Sequence, residues 1–140
     1  MRNTTDVQLV HVWDEGEIAD LYRAGGWWKE EYRVEELRHL IRGSFLFAVV
    51  TDEKTGRAIG MGRVLSDGVS DGYIQDLVVL PGYRKSGVGS KIVYELVKKC
   101  RENGLTWIAL IAEPNSDSFY NSLGFQKMKN YVPMIYREGS

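Results

Sequence analysis

One stretch decides the fold of this chain: Leu77-Val78-Val79-Leu80-Pro81-Gly82-Tyr83-Arg84-Lys85-Ser86-Gly87-Val88-Gly89-Ser90. Its first residues have the β-branched character of a strand, and a proline and a glycine then turn the chain. A glycine-containing loop follows and leads into a long amphipathic segment, which predicts a helix. Backbone N–H groups at a helix start lack intrahelical partners and, with the helix dipole, favour anions. The stretch therefore predicts a strand, a loop and a helix that together present an anion site.

Length and composition predict one globular domain over residues 1–140. The chain is 44% hydrophobic and 26% charged, and it is long enough to bury a core without disulfides or metals. Its net charge of -1 argues against a general nucleic-acid binder. The single cysteine, Cys100, cannot form an internal disulfide, which favours a reducing cytoplasm. No apolar run approaches the roughly 20 residues that a membrane span needs, and no signal segment opens the chain. We expect a cytoplasmic protein with no nucleic-acid or membrane partner.

Hydrophobic periodicity predicts an α/β (α+β) domain with one twisted mixed sheet, in the order β-α-α-β-β-β-α-β-α-β-β. The third, fourth and fifth elements after the first strand form an antiparallel meander, in which Gly60 and Gly62 mark a bulge or a close backbone approach. A helix crossover makes the next strand parallel to the last meander strand. The expected strands are 7–13, 44–51, 57–65, 73–80, 107–112, 125–129 and 131–137; the expected helices are 14–24, 34–41, 86–103 and 114–123.

Two familiar phosphate loops do not fit the glycines. Gly82 and Gly87 have Walker A spacing, but Val88-Gly89 stand where that loop needs Lys and Ser or Thr. The dinucleotide pattern fails because Ile92 occupies the place of its third glycine. A nucleotide-phosphate enzyme is therefore disfavoured, while a tight turn without any ligand stays open for the glycines taken alone.

Two motifs in order carry a family resemblance. Arg84-Lys85-Ser86-Gly87-Val88-Gly89 has the form Arg/Gln-x-x-Gly-x-Gly, and Phe119-Tyr120-Asn121-Ser122-Leu123-Gly124-Phe125 has the form aromatic-Tyr-x-x-x-Gly-Phe. Together they resemble the signatures of the GCN5-related N-acetyltransferase (GNAT) family, in its small single-domain prokaryotic type. The predicted element order agrees with that family from Val7 to Arg137. The resemblance implies a GNAT-like sheet whose central parallel strands splay apart.

The resemblance also implies acetyl-coenzyme A (acetyl-CoA) as cosubstrate. Its pyrophosphate would bind the backbone N–H groups of residues 85–90, and its pantetheine arm would pair with the strand end at Leu77–Val79. A freed N–H near Val78 would polarise the thioester carbonyl. Arg84 and Lys85 either contact phosphate or are solvated, and Asn115 either contacts pantetheine or caps a helix. The expected cofactor-binding residues are Leu77, Val78, Val79, Arg84, Lys85, Ser86, Gly87, Val88, Gly89, Ser90, Asn115 and Tyr120.

Acetyl transfer to an amine requires a general acid and a base. Tyr120 is the expected acid, because a phenol with a pKa near ~10 suits protonation of a thiolate; alternatively, its ring only packs beneath the loop. Gln75 stands where many family members carry an acidic residue, so the base is either Glu113 or Asp76, directly or through water. Strand alternation predicts that Asp76 lies on the face opposite Gln75.

The acceptor side is less defined. Trp27 and Trp28 either wall an amine pocket or fill the core, and Arg63 either orients a polar acceptor or forms a surface ion pair. His11 and His39 lack ligand-like spacing, so no metal is expected. The acceptor is a small-molecule amine or the amine of a peptide or protein; its identity, the range of acyl groups and a homodimeric state stay open. The alternative function is a catalytically weak acyl-CoA-binding or sensor module of the same fold.

Overall fold

The computed structural model describes residues 3–139. Its strands are β1 (Gln8–Leu9), β2 (Leu46–Thr51), β3 (Ala58–Leu65), β4 (Asp71–Val79) and β5 (Trp107–Leu110). Its α-helices are α1 (Glu15–Ala24), α2 (Leu37–Gly43), α3 (Val88–Glu102) and α4 (Asp117–Asn121). Single 3-10 turns at Val34–Glu36 and Pro81–Tyr83 precede α2 and the glycine loop.

All five strands belong to one mixed sheet in the order β1-β2-β3-β4-β5. The first four strands are antiparallel neighbours, and β5 is parallel to β4. The polar turn between β2 and β3 closes with Asp52 N donating to Arg57 O at 2.9 Å. The predicted fold class, its antiparallel meander and its helix crossover are therefore confirmed.

Helix α1 begins where the sequence predicts. The Asp14 side chain accepts a hydrogen bond from Glu17 N at 3.0 Å and caps the helix. The Glu17 carboxylate does not complete a capping box; it accepts from Trp13 Nε1 at 3.0 Å and from Ala58 N at 2.8 Å. The Glu17 carboxylate thereby joins the first turn of α1 to the start of β3.

Two missing side chains let α3 lie close to the sheet. A Cβ on Gly60 would be 3.1 Å from Val88 Cγ1, and one on Gly62 would be 2.9 Å from Ile92 Cγ2. The close approach expected for these glycines is confirmed. Gly104 follows the end of α3 and has φ +84°. This is the left-handed conformation that the sequence predicts for a glycine at the end of a helix.

The helices lie on both faces of the sheet. Met61 packs in one buried cluster with Ile18, Leu37 and Phe47, so its face is covered by α1 and α2. Because strand side chains alternate, Gly60 and Gly62 point to the other face, against α3. Arg63 shares the face of Met61, which matters for the site described below.

The chain divides after Leu110 into two compact units. The first contains the sheet and α1 to α3, and the second contains α4. Within residues 3–139, no helix is long and apolar enough to cross a membrane.

The two closing strands of the sequence prediction are wrong. Residues 125–129 and 131–137 adopt no strand in the described structure, so the sheet has five strands instead of seven. Val132, Met134 and Tyr136 are exposed. Alternating β-branched and aromatic residues favour a strand only when a ladder partner pairs with them, and this segment has none assigned in the range that the structure describes.

Candidate active site

Strand β4 contains a β-bulge at Asp76. The β3–β4 ladder pairs Arg63 with Gln75, and then shifts register to pair Met61 with Val78, so β4 carries one extra residue. Asp76 has φ +61°, a left-handed conformation that is uncommon for a residue other than glycine. The bulge therefore changes which side chains and peptide groups of β4 face each direction beyond this point.

A largely buried ion pair lies at this bulge. Arg63 Nε donates to Asp76 Oδ2 at 2.7 Å, and the Tyr22 hydroxyl donates to the same oxygen at 2.7 Å. Arg63 Nη2 also donates to Gln75 Oε1 at 2.9 Å. The Arg63 and Asp76 side chains are only 14% and 16% exposed. Arg63 therefore forms an ion pair, as one of its predicted alternatives states, but this pair lies largely inside the protein and not on its surface.

The prediction that Gln75 and Asp76 lie on opposite faces is also wrong. Both side chains contact Arg63, because the extra residue of a bulge interrupts the alternation of the strand. Burial, followed by the adjacent Asp76 carboxylate, raises the pKa of Tyr22 far above its ordinary value. Tyr22 therefore stays a neutral hydrogen-bond donor to Asp76 over the whole physiological range.

The peptide groups beyond the bulge alternate between β3 and the opposite edge of β4. Leu80 N donates to Ile59 O at 2.8 Å, so the next pair, Gly60 with Val79, is a non-hydrogen-bonded pair. The Val79 peptide group consequently faces away from β3, and Arg84 Nε donates to Val79 O at 2.8 Å. By the same alternation, the Val78 amide faces Met61.

This edge of β4 continues beyond its parallel partner. The ladder with β5 ends at Ile74 and Leu110, whereas β4 runs on to Val79. This agrees with the expected splay of the parallel strands. The edge amide near Val78 that the sequence prediction sought is therefore that of Val79.

The glycine loop exposes the start of α3. Lys85 and Gly87 have φ of +65° and +85°, and Gly87 is the N-cap residue, which provides no side-chain cap. The first hydrogen bond to Gly87 O comes from Lys91 N, at 3.1 Å. A Cβ on Gly87 would meet no atom within 4 Å, so the space over the loop is open. The N–H groups of residues 88–90 thus have the arrangement of an anion site.

Tyr83 anchors the start of this loop to the β2–β3 turn. Its hydroxyl donates to Asp52 Oδ2 at 2.5 Å. Asp52 Oδ1 in turn accepts from Lys54 N at 2.8 Å and Thr55 N at 3.1 Å. Ser86 Oγ closes the loop on itself by donating to Tyr83 O at 2.5 Å. The loop geometry is therefore fixed by hydrogen bonds on both sides of Arg84.

In the second unit, Tyr120 of α4 is half-buried between aromatic neighbours. Its ring lies 5.0 Å from that of Phe119 and 5.9 Å from that of Phe125, both edge-on. Burial, and then the charge of Glu113, raises the pKa of Tyr120 above its ordinary value. Tyr120 therefore packs in an aromatic cluster and also keeps its proton available.

The segment before α4 departs from one prediction. Ser116, not Asn115, is the N-cap residue of α4, so the expected capping role of Asn115 is wrong. Asn115 is exposed and has φ +66°. Ser116 Oγ donates to the backbone oxygen of Glu113 at 2.6 Å, and Glu113 is exposed.

Trp27 and Trp28 are half-buried and pack against the core cluster. The Trp27 ring lies over Gly25, where a Cβ would be 2.7 Å from it, and meets Tyr22 edge-on at 6.2 Å. Trp28 has the Arg23 guanidinium 5.4 Å from its ring centroid. Both tryptophans are therefore partly core, and Trp27 adjoins the Tyr22–Asp76 contact.

Sequence reasoning missed Tyr22 and Ser44. Tyr22 lies on the buried stripe of α1 with Ile18 and Leu21, so a polar tip on an apolar face was the available signal. Ser44 is buried, accepts from Arg63 Nη1 at 3.4 Å and donates to Leu40 O at 2.7 Å. Within residues 3–139 no group of three His, Cys, Asp or Glu side chains is arranged to hold a metal ion.

Comparison with known proteins defines the class. The model of the acetyltransferase (GNAT) family matches residues 10–125. The chain therefore belongs to the GNAT family of acetyltransferases, as the two motifs predicted. An uncharacterized N-acetyltransferase, ycf52, of Porphyra purpurea is 27% identical over 127 residues, which cover 91% of this chain and 70% of that protein. The chloroplastic serotonin N-acetyltransferase 2 of Oryza sativa subsp. japonica is 39% identical over 70 residues, which cover 50% of this chain and 35% of that protein.

Solved structures share the fold. A GNAT family acetyltransferase from Streptococcus pneumoniae TIGR4 has a TM-score of 0.81 and 25% identity, with 99% of this chain and 100% of that chain covered. The aminoglycoside N-acetyltransferase AAC(6')-Iy, in complex with CoA, has a TM-score of 0.75 and 14% identity, with 100% and 97% covered.

Proposed function

We propose that this protein is an N-acetyltransferase that moves an acetyl group from acetyl-CoA to a primary amine by direct attack. The observation that carries the proposal is the start of α3 after Gly87, which has no side-chain cap. This helix start follows the part of β4 that extends beyond its ladder with β5. The family model spans both compact units, which supports the proposal that residues 1–140 act as one acetyltransferase domain.

The residues present fit acetyl-CoA. The N–H groups of residues 88–90 suit a pyrophosphate, and Gly87 leaves the space above them open. Lys85 and Ser86 are exposed beside these groups, whereas Arg84 is tied through Nε to Val79 O. We propose that Leu77 and Val79 pair with the pantetheine arm and that Val78 supports them from the core. Asn115 completes the proposed cofactor-binding residues.

When bound, acetyl-CoA supplies an acyl group activated as a thioester. The Val79 N–H, on the outer edge of β4, is proposed to stabilise the oxyanion that develops when the amine attacks. Tyr120, whose pKa is raised by burial, is proposed to donate the proton that the departing thiolate requires.

For the base we propose Glu113, directly or through water. Asp76 Oδ2 already accepts from Arg63 and Tyr22, so its geometry is that of an anchor. Gln75 has no proton-accepting carboxylate and is likewise held by Arg63.

On the acceptor side we propose Trp27 and Trp28 as apolar walls. Arg63 is retained as a residue that shapes this region from within. Relatives named as serotonin and histone acetyltransferases support an amine acceptor, on either a small molecule or a protein. A cytoplasmic location and a homodimer stay predictions.

The test is turnover of acetyl-CoA with a panel of arylalkylamines, polyamines, aminoglycosides and amine-terminated peptides, followed by thiol release. We expect amine-dependent release that Glu113→Gln reduces. Calorimetric acetyl-CoA binding without turnover for any amine would instead support the alternative of an acyl-CoA sensor. If the protein neither binds acetyl-CoA nor turns it over, both the proposed function and the alternative are contradicted.

A further inference from the structure

We infer that Tyr22 and Arg63 are positioning residues that hold Asp76 in its left-handed conformation and so direct the Val79 amide to the outer edge of β4. This inference rests on the proposed function, because that amide is the proposed oxyanion donor. Neither residue belongs to the two sequence motifs of the family that this chain carries.

The register of the ladder carries the first step. If Asp76 adopted regular strand geometry instead of a bulge, the pairing of Arg63 with Gln75 would continue to Ile59 opposite Val79. Phe45 N donates to Val64 O, so residues of β3 at even positions face β2 and those at odd positions face β4. Val79 would then direct its peptide group to β3, and Val78 would take the outer edge. The bulge exchanges these two amides.

The second step is what keeps the bulge in place. A left-handed backbone is strained for a residue with a Cβ, so it persists where the surroundings fix it. Asp76 Oδ2 receives one hydrogen bond from α1 through Tyr22 and one from β3 through Arg63. Arg63 also reaches Gln75, the residue just before the bulge, so the clamp holds both sides of the peptide that turns.

The clamp is itself rigidly supported. Tyr22 is 7% exposed and belongs to the buried cluster of α1 and Met61. Ser44, at the end of α2, contacts Arg63 Nη1 and is fixed by its bond to Leu40 O. Helix α1 and strand β3 therefore converge on a single carboxylate oxygen, and the end of α2 supports the arginine that reaches it. This arrangement suits a device that fixes backbone geometry better than one that exchanges protons with solvent.

Four variants separate positioning from direct catalysis. Asp76→Asn keeps an oxygen acceptor and tolerates a left-handed backbone, whereas Asp76→Ala has neither property. Tyr22→Phe and Arg63→Lys each weaken one arm of the clamp without adding volume. Matched controls are Tyr94→Phe, at an exposed position of α3, and Arg57→Lys, at an exposed ion pair with Asp20.

Two measurements are made on each variant. The first is kcat with the best amine of the panel, together with calorimetric affinity for CoA. Loss of an oxyanion donor predicts that Asp76→Ala lowers kcat by about 100-fold and that Asp76→Asn recovers at least about tenfold of this loss. Because Leu77 and Val79 are also the proposed partners of the pantetheine arm, Asp76→Ala should weaken CoA binding as well. The kcat values of Tyr22→Phe and Arg63→Lys are expected to lie between those of Asp76→Ala and the wild type. The two control variants should have the kcat of the wild type.

The second measurement is amide hydrogen exchange by NMR, which needs no activity. In the wild type the Val78 amide should exchange more slowly than that of Val79, and Asp76→Ala should abolish or reverse this order. If Asp76→Ala does not fold, Tyr22→Phe and Arg63→Lys provide the same comparison.

The outcomes are distinguishable. Equal loss of kcat in Asp76→Asn and Asp76→Ala, with the exchange order unchanged, would overturn the inference in favour of Asp76 as the base. Slower exchange of Val79 than of Val78 in the wild type would overturn it as well. A wild type that binds no CoA and acetylates no amine would refute the proposed function, while the exchange order would still decide the inference.

Discussion

Tyr22 and Asp76 lie 54 positions apart in the chain, and the hydroxyl of one donates to Oδ2 of the other at 2.7 Å. The contact joins the buried face of α1 to the one residue of β4 that departs from strand geometry. The acceptor is a carboxylate oxygen and the contact is partly buried. A hydrogen bond of this kind contributes more to stability than one between neutral groups. Its energetic role is therefore measurable.

Tyr22→Phe is expected to destabilise the protein by about 1 to 2 kcal/mol at neutral pH, since Asp76 loses a buried donor. The pH dependence has a definite sign. Because the pKa of Tyr22 is raised in the folded state, the stability due to its neutral phenol is complete below about pH 10 and is lost as pH rises toward the folded pKa. The difference between wild type and variant should shrink above about pH 10.

Urea unfolding at several pH values measures this difference, with Tyr94→Phe as the exposed control. A gap that widens in alkali would contradict the direction of the Tyr22 pKa.

Tyr120→Phe is expected to lower kcat by about 100-fold or more while acetyl-CoA affinity stays near wild type. The ring contacts with Phe119 and Phe125 survive, so the variant removes only the hydroxyl. Because the pKa of Tyr120 is raised, wild-type kcat should show no alkaline decline due to this group below about pH 10. Tyr136→Phe, at an 87% exposed side chain, is the control. An unchanged kcat in Tyr120→Phe would remove this residue from the mechanism.

Gly87→Ala is expected to weaken acetyl-CoA binding by about tenfold, because φ +85° is unfavourable for alanine by about 1 to 2 kcal/mol. No atom lies within 4 Å of the new Cβ, so the effect is one of backbone conformation. Gly56→Ala is a matched control: φ is +73° with the same open space, but the residue lies in the β2–β3 turn. Calorimetry that finds equal affinity for both variants would contradict the proposed pyrophosphate site.

Gly62→Ala is expected to destabilise the fold by about 1 to 3 kcal/mol, because its Cβ would lie 2.9 Å from Ile92 Cγ2 and 3.3 Å from Leu96 Cδ1. Gly43→Ala, at a helix end with no atom within 4 Å, should change stability far less. Denaturant midpoints compare the two. Equal midpoints would mean that α3 yields to the methyl group without cost.

The sequence predicts those parts of the fold whose cause is local. The apolar stripe of α3 and the left-handed residue Gly104 after its end are encoded within one segment. The glycine loop is equally legible, because Gly87 has the conformation that a residue with a Cβ avoids. Asp14 likewise marks the start of α1 within three residues of its partner.

The bulge in β4 cannot be predicted from the local sequence. Its left-handed residue is an aspartate, and its partners Arg63 and Tyr22 are 13 and 54 positions distant. Strict alternation was therefore the natural expectation for Gln75 and Asp76, and it failed because a tertiary contact overrides a local preference. The prediction of strands within 125–137 failed for the opposite reason. The local pattern there is strand-like, but the described structure assigns no partner strand to it.

The Asp76 bulge also determines where the chain tolerates insertion and deletion. Loss of the extra residue between Gln75 and Leu77 would remove the bulge but leave Val78 opposite Met61, so the later side chains of β4 would keep their faces. Loss of one residue from the regular part of β4, at 71–74, would instead turn the side chains on one side of the deletion to the opposite face. One residue added to the exposed turn at 53–56 should leave the sheet intact. The bulge and the turn at 53–56 are therefore places where the pairing of the sheet tolerates a change of length, and libraries that vary this protein should keep the length of the regular part of β4 fixed.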